Sequence, residues 1–135
     1  MADTFLLQLV SPERLLVEEQ VTEAQIPALD GYIGVLPGAA PLLSALKPGG
    51  VLSYHVNGEK KVLAVYGGFV EVLPDRVRVL ADAAEQRSEI NLEQARQKLQ
   101  EATKFLSGGG DGQATDPAVA LDEVSRAQAR VDAVS

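Results

Sequence analysis

The most informative stretch of the chain reads Gly31-Tyr32-Ile33-Gly34-Val35-Leu36-Pro37-Gly38-Ala39-Ala40-Pro41-Leu42-Leu43. Its glycines and prolines alternate with aliphatic residues, so the backbone must turn tightly several times while side chains stay buried beside strands. A second segment, Tyr66-Gly67-Gly68-Phe69-Val70-Glu71-Val72, resumes a strand after a glycine pair, where a missing Cβ permits a bulge or a close backbone approach. On pattern alone, the first segment fits tight-turn architecture and a shaped docking loop equally well.

The first part of the chain, from Thr4 to Asp82, is a series of short strand-like runs separated by turn residues. The clearest turn is Asn57-Gly58, which joins two apolar runs and is the strongest short hairpin signal in the chain. Closely spaced strands with brief connections favour a β-sandwich or a flattened barrel. We therefore predict a β-domain over residues 1–84.

The second part is helical, because the apolar period changes from two to about 3.6 after Ala81. Asn91 is the predicted N-cap of a first helix, whose apolar stripe is Leu92, Ala95, Leu99, Ala102 and Leu106. The glycine-rich segment 107–114 cannot continue that helix. Asp116 and Pro117 begin a second one, with the stripe Ala120, Val124, Ala127, Val131 and Val134. We predict an antiparallel two-helix hairpin over residues 88–135.

This hairpin is predicted to be only marginally stable. Alanine and valine bury little area, at roughly 25 cal/mol per Å², so closure gains little and the pair could open if another surface received its stripes. The stripes could also form a coiled-coil seam or face a membrane. Of these three interpretations of the stripes, packing within the chain is the most favoured. Membrane binding is the least favoured, because the polar faces of the helices carry acidic as well as basic residues.

Composition excludes several function classes. A net charge of −7 argues against nucleic-acid binding, which requires clustered Lys and Arg. The chain has no cysteine, which excludes disulfides and thiolate sites and favours the cytosolic side. No apolar run approaches the roughly 20 residues of a membrane span, and the first residues lack the pattern of a secretory signal. We expect no export and no direct membrane insertion.

Candidate chemical groups are few. The single histidine, His55, lies in a strand without a catalytic set around it, so a surface or packing role is favoured. The segment 108–112 follows a helix and lacks the Gly-Lys-Ser/Thr ending of a phosphate loop, which favours a tether. The acidic pairs Glu18-Glu19 and Asp122-Glu123 diverge from each other and fit solvated surface charge better than a cation site. The placement of these groups predicts a non-catalytic adaptor protein without a metal site.

The two opening segments, taken with the order of β-domain and helix hairpin, resemble the epsilon subunit of bacterial and chloroplast F-type ATP synthase, called delta in mitochondria. A stretch Gly-x-x-Gly-Ile/Val-Leu-Pro-Gly-His-Ala-Pro-Leu-Leu is typical of that family. The chain matches it from Gly31 to Leu43, with Ala39 in place of the histidine. Segments 47–49, 67–72 and 79–82 also fit, and the similarity covers nearly the whole chain.

The resemblance implies a ten-stranded β-sandwich that clasps the gamma subunit and rests on the ring of c subunits, followed by the helix hairpin. The subunit is then a non-catalytic part of the rotor, peripheral at the cytoplasmic face of the bacterial plasma membrane. Gamma and ring contacts would involve Tyr32, Gly34, Leu36, Pro37 and Pro41. An extended hairpin would transiently reach the alpha and beta subunits and restrain ATP hydrolysis, through Arg96, Lys98, Arg126 and Arg130.

Some bacterial members of that family bind ATP through a motif Ile/Leu-Asp-x-x-Arg-Ala at the start of the first helix. Here the aligned residues 90–95 lack both the aspartate and the arginine, so we expect no cofactor and at most weak ATP binding by the hairpin. The alternative function is a free-standing β-sandwich binding module with a helical dimerisation hairpin. An enzyme that acts on a small ligand is the least favoured of the three functions.

Overall fold

The computed structural model describes residues 3–106 and 117–134 of the chain. These described residues form eight strands, a single 3-10 turn at Arg87–Glu89 and two helices. The strands are β1 (Phe5–Val10), β2 (Leu15–Val21), β3 (Glu23–Ala28), β4 (Gly31–Val35), β5 (Leu42–Ala45), β6 (Gly50–Val56), β7 (Glu59–Val72) and β8 (Arg76–Gln86). The helices are α1 (Leu92–Leu106) and α2 (Pro117–Val134). The predicted class, a β-sandwich followed by a helix pair, is confirmed.

The strands form one open sheet that folds over on itself. Their order is β2-β1-β8-β7-β6-β3-β4, with β5 paired to the second half of β7. The fold-over occurs at Gly67 and Gly68, whose φ angles of 69° and 114° belong to a region that side-chain-bearing residues rarely adopt. Because β7 and β8 run through the bend, each serves both layers. This explains why the structure has eight continuous strands where ten were predicted.

A single hydrophobic core lies between the two layers. Its largest fully buried side chains come from both of them, among them Phe5, Leu7, Leu9, Ile26, Leu52, Val65, Val70, Val77 and Val79. Strand alternation places these residues on the inner faces, as in β1, where buried and half-buried positions alternate along the strand. Within the described residues, the sandwich therefore has a core of its own to which no helical residue contributes.

Two local predictions are confirmed. Asn57 and Gly58 both have positive φ, at 52° and 78°, and join β6 to β7 in the two-residue turn that such dipeptides favour. Asn91 caps α1, because its Oδ1 accepts a hydrogen bond of 3.1 Å from the Gln94 amide. The predicted cap Asp116 and the segment 107–114 lie outside the described residues.

The two helices pack against each other through the predicted stripes. Ala95 and Ala102 of α1 and Ala120 and Ala127 of α2 are buried, while the larger stripe residues Leu92, Leu99, Val124, Val131 and Val134 are half-buried. Small residues at the contact let the helix axes approach closely. The prediction that the stripes pack within the chain is confirmed.

Helix α2 also packs against the sheet, through two alanines outside the stripe together with the stripe residues Val131 and Val134. Ala129 and Ala133 join Ala64 and Tyr66 of β7 in a second, smaller apolar cluster on the outer side of the sandwich. Near its middle, α2 lies so close to Gly49 that an added Cβ there would come within 3.0 Å of the backbone of Ser125. The Ser125 hydroxyl donates a hydrogen bond of 3.0 Å to the Gly49 carbonyl. The hairpin is thus docked on the sandwich by small residues, outside the main core.

Candidate interaction surfaces

The outer face of the layer that α2 leaves uncovered carries a continuous apolar row. Cα pairing places Ala45, Phe69, Leu80, Val10 and Leu15 side by side across strands β5, β7, β8, β1 and β2. Directly paired residues project to the same face of a sheet, so the five side chains form one band. Phe69 is 57% exposed, Leu80 50% and Leu15 53%. We call this band the outer row.

The neighbouring row on the same face is polar apart from Leu43 at one end. It pairs Leu43 with Glu71, Glu71 with Arg78, Arg78 with Gln8 and Gln8 with Glu18. Arg78 Nε donates a hydrogen bond of 3.4 Å to the Gln8 side chain, which fixes part of this row. An exposed apolar band with a polar border is typical of a protein-binding surface.

Two members of the outer row leave a signal in the sequence, although the row itself does not. Arg76, Arg78 and Asp82 alternate with the buried residues of β8 and face outward, yet Leu80 shares their outward position. Phe69 likewise takes the exposed position before buried Val70 in β7. Both break the polar-out alternation, but the Cα pairing that makes them neighbours is a long-range feature that no local pattern specifies.

The structure divides the five predicted ring and gamma contacts into two groups. Tyr32 and Gly34 lie on β4, on the side that faces α2: Tyr32 shares a shallow pocket with Asp132 and Ala133, and its hydroxyl accepts a 3.1 Å hydrogen bond from the Val51 amide. Leu36, Pro37 and Pro41 lie in the loop after β4, which the Gly38 amide joins to the β7–β8 turn through a 2.9 Å bond to the Pro74 carbonyl.

That loop is an exposed apolar end of the sandwich. Leu36 is 61% exposed, and Leu42 and Leu43, just after the loop, are 43% and 71% exposed. Leu43 lies next to the position of Ala45 on β5, so the loop end and the outer row adjoin. The two surfaces together could receive two partners that meet at this edge of the sandwich.

The four predicted cationic contacts are not equivalent. Lys98, Arg126 and Arg130 line one cavity between the hairpin and the sandwich, whereas Arg96 is exposed elsewhere on α1. Arg130 forms an ion pair of 3.0 Å with Glu85 of β8. His55, for which a surface or packing role was predicted, is half-buried, and its Nδ1 lies 2.9 Å from Glu23 Oε1.

The connection between the two parts of the chain is fixed by a further ion pair. Arg14, in the β1–β2 turn, donates hydrogen bonds of 2.7 and 2.9 Å to the two carboxylate oxygens of Glu89 in the 3-10 turn. These bonds and one from the Gln86 amide lower the pKa of Glu89. Within residues 3–106 and 117–134, no helix is both long and apolar enough to cross a bilayer.

A β-sandwich with an exposed apolar band and a docked helix pair defines a binding subunit. The family model for the ATP synthase delta/epsilon chain β-sandwich domain matches residues 4–87. The chain is 50% identical to the ATP synthase epsilon chain of Solibacter usitatus over 97% of this chain and 96% of that protein. It is 44% identical to that of Koribacter versatilis, covering 82% and 77% of the two chains. The chain therefore belongs to the epsilon-chain family of F-type ATP synthase, a family of non-catalytic subunits.

Two solved structures share the fold. A chain of the Euglena gracilis mitochondrial ATP synthase, solved as an OSCP/F1/c-ring assembly, aligns with a TM-score of 0.80 at 22% identity, over 96% of this chain and 80% of that chain. A chain of the Tetrahymena thermophila mitochondrial ATP synthase, from its central stalk and c-ring, aligns with a TM-score of 0.66 at 14% identity, over 97% and 96%.

Proposed function

We propose that the chain is a central-stalk subunit of the ATP synthase rotor, which couples ion-driven rotation of the c-ring through gamma to ATP synthesis. The observation that supports this proposal most strongly is the exposed outer row. A rigid sandwich that leaves an aromatic and two leucine side chains about half exposed in one band has a surface suited to permanent burial against another protein. We assign that face to gamma.

The loop end of the sandwich is the proposed contact with the c-ring. Leu36 and Leu43 are the most exposed large apolar residues of the described chain, and they adjoin the outer row. One subunit could therefore bind the shaft and the ring at the same edge. Peripheral attachment at the cytoplasmic face of a bacterial plasma membrane follows from that contact.

The hairpin is the proposed inhibitory element, extending towards the alpha and beta subunits. Its attachment supports this role, because α2 packs outside the main core and can leave without exposing that core. The alternative of a dimerisation hairpin is less well supported, since the alanines of the two stripes are already buried within the single chain.

Removing residues 88–135 is expected to raise ATP hydrolysis by the assembled complex, because the extended hairpin would no longer reach the catalytic subunits. Binding to gamma should be unchanged, since the outer row lies entirely within residues 10–80. The measurement compares hydrolysis rates of complexes with the full and shortened chains at equal subunit content. Equal rates would remove the inhibitory role and leave the coupling role intact.

A further inference from the structure

The cavity between the hairpin and the sandwich has a volume of about 610 Å³ and is lined by charged groups of both signs. They project from β8, α1 and α2 and comprise the cations Lys98, Arg126 and Arg130 and the carboxylates Glu85, Glu101 and Glu123. Cations and carboxylates are equal in number here, so the side chains of the cavity can neutralise one another.

Glu85 is the carboxylate that joins the two parts of the molecule. The Tyr66 hydroxyl of β7 donates a hydrogen bond to Glu85 Oε1. Arg130 of α2 places its Nε 3.0 Å from the same oxygen, and its Nη2 donates a bond of 3.4 Å to Oε2. One carboxylate thus bridges the sheet and the second helix.

The surroundings strengthen this bridge. The Arg130 and Glu85 side chains are only 17% and 28% exposed, compared with 44% and 37% for the Arg14–Glu89 pair. Partial burial reduces solvent screening of the attraction. Burial, with the bond to Glu85, raises the pKa of Tyr66, so the phenol keeps the proton that it donates. If Glu85 lost its charge, Arg130 would remain half-buried without its anionic partner, which is costly.

We propose that Glu85 is a latch that holds the hairpin on the sandwich. The rest of the docking surface is mostly apolar: alanines, valines, Ile90 and the Tyr66 ring, with one serine hydrogen bond, so it supplies little directionality. The Glu85 bridge supplies a charged contact: an ion pair at Arg130 Nε, which makes no hydrogen bond itself, and one hydrogen bond from Arg130 Nη2. The latch is a property of the isolated chain and does not depend on the inhibitory role. It bears on that role because Arg130 cannot pair with Glu85 and contact a neighbouring subunit at once.

Hydrogen exchange of the isolated full-length chain tests the latch. Glu85→Gln keeps the size of the side chain and removes its charge. Bonds to charged groups are typically worth enough that their loss should make the α2 amides exchange about 10- to 100-fold faster. Strand amides of the main core should be unaffected, which separates release of the hairpin from unfolding of the sandwich. Gly49→Ala, which places a Cβ against the α2 backbone, shows the exchange of an undocked hairpin in the same assay.

Arg126→Gln is the matched control, because Arg126 lines the same cavity and carries the same charge as Arg130. It should leave α2 exchange near the wild-type rate. Arg130→Gln should speed α2 exchange as much as Glu85→Gln does. In the double variant the α2 amides should exchange no faster than in either single variant, because each substitution breaks the same contact. Wild-type α2 protection in Glu85→Gln, an equal effect of Arg126→Gln, or additive effects of the two latch substitutions would each overturn the proposal.

Discussion

Replacing Phe69 with aspartate is expected to weaken binding of the chain to gamma by about 100-fold or more, because truncating a central aromatic residue of an interface typically costs roughly 2–4 kcal/mol. The new carboxylate would also have to be desolvated within the outer row. Phe69 is 57% exposed in the isolated chain, so the substitution removes little from the main core. The affinity of purified gamma for each variant measures the effect.

Leu121→Asp is the matched control for this substitution. Leu121 is 58% exposed but lies on α2, away from the outer row. It should bind gamma like the wild-type chain. Thermal unfolding of both variants must show an intact sandwich. If Phe69→Asp bound gamma with wild-type affinity, the outer row would not be the docking face.

Replacing Gly68 with alanine is expected to destabilise the sandwich by roughly 4 kcal/mol, since backbone strain costs about 1–3 kcal/mol and overpacking a similar amount. Gly68 has a φ of 114°, and an added Cβ would lie within 3.0 Å of the Leu80 carbonyl oxygen. The clash is with the backbone of β8 at the bend that both layers share, so little can move aside. Chemical denaturation measures the loss.

Gly58→Ala separates strain from the clash. Gly58 also has positive φ, at 78°, but an added Cβ there meets open space. It should cost about 1 kcal/mol, as expected for strain alone. Equal losses for the two alanine variants would contradict the view that a close backbone approach requires Gly68.

Local signals in the sequence predicted most of the fold. The Asn57-Gly58 turn, the Asn91 cap and the two helical stripes each depend on residues close together in the chain, and the structure confirms all three. The predicted count of ten strands differs from the eight observed because β7 and β8 bend and continue instead of ending.

Long-range features were beyond the sequence. The outer row exists only because the Cα pairing aligns Phe69 with Leu80 and Leu80 with Val10. The second buried face of α2 consists of alanines, which carry too little hydrophobicity to mark a face. The bridge from Glu85 to Arg130 joins residues 45 positions apart. Each depends on how elements meet, which local periodicity does not determine.

Thiol labelling tests most directly whether the outer row is the face by which the sandwich is held in the complex. The chain has no cysteine, so Leu80→Cys introduces a single thiol into the row and Leu121→Cys introduces one on α2 at similar exposure. The maleimide labelling rate of this chain is measured alone and in the assembled complex. Leu80→Cys should label readily alone and be protected in the complex, whereas Leu121→Cys should keep its rate while the hairpin stays docked. Equal labelling of Leu80→Cys in both states would show that the outer row is not the docking face.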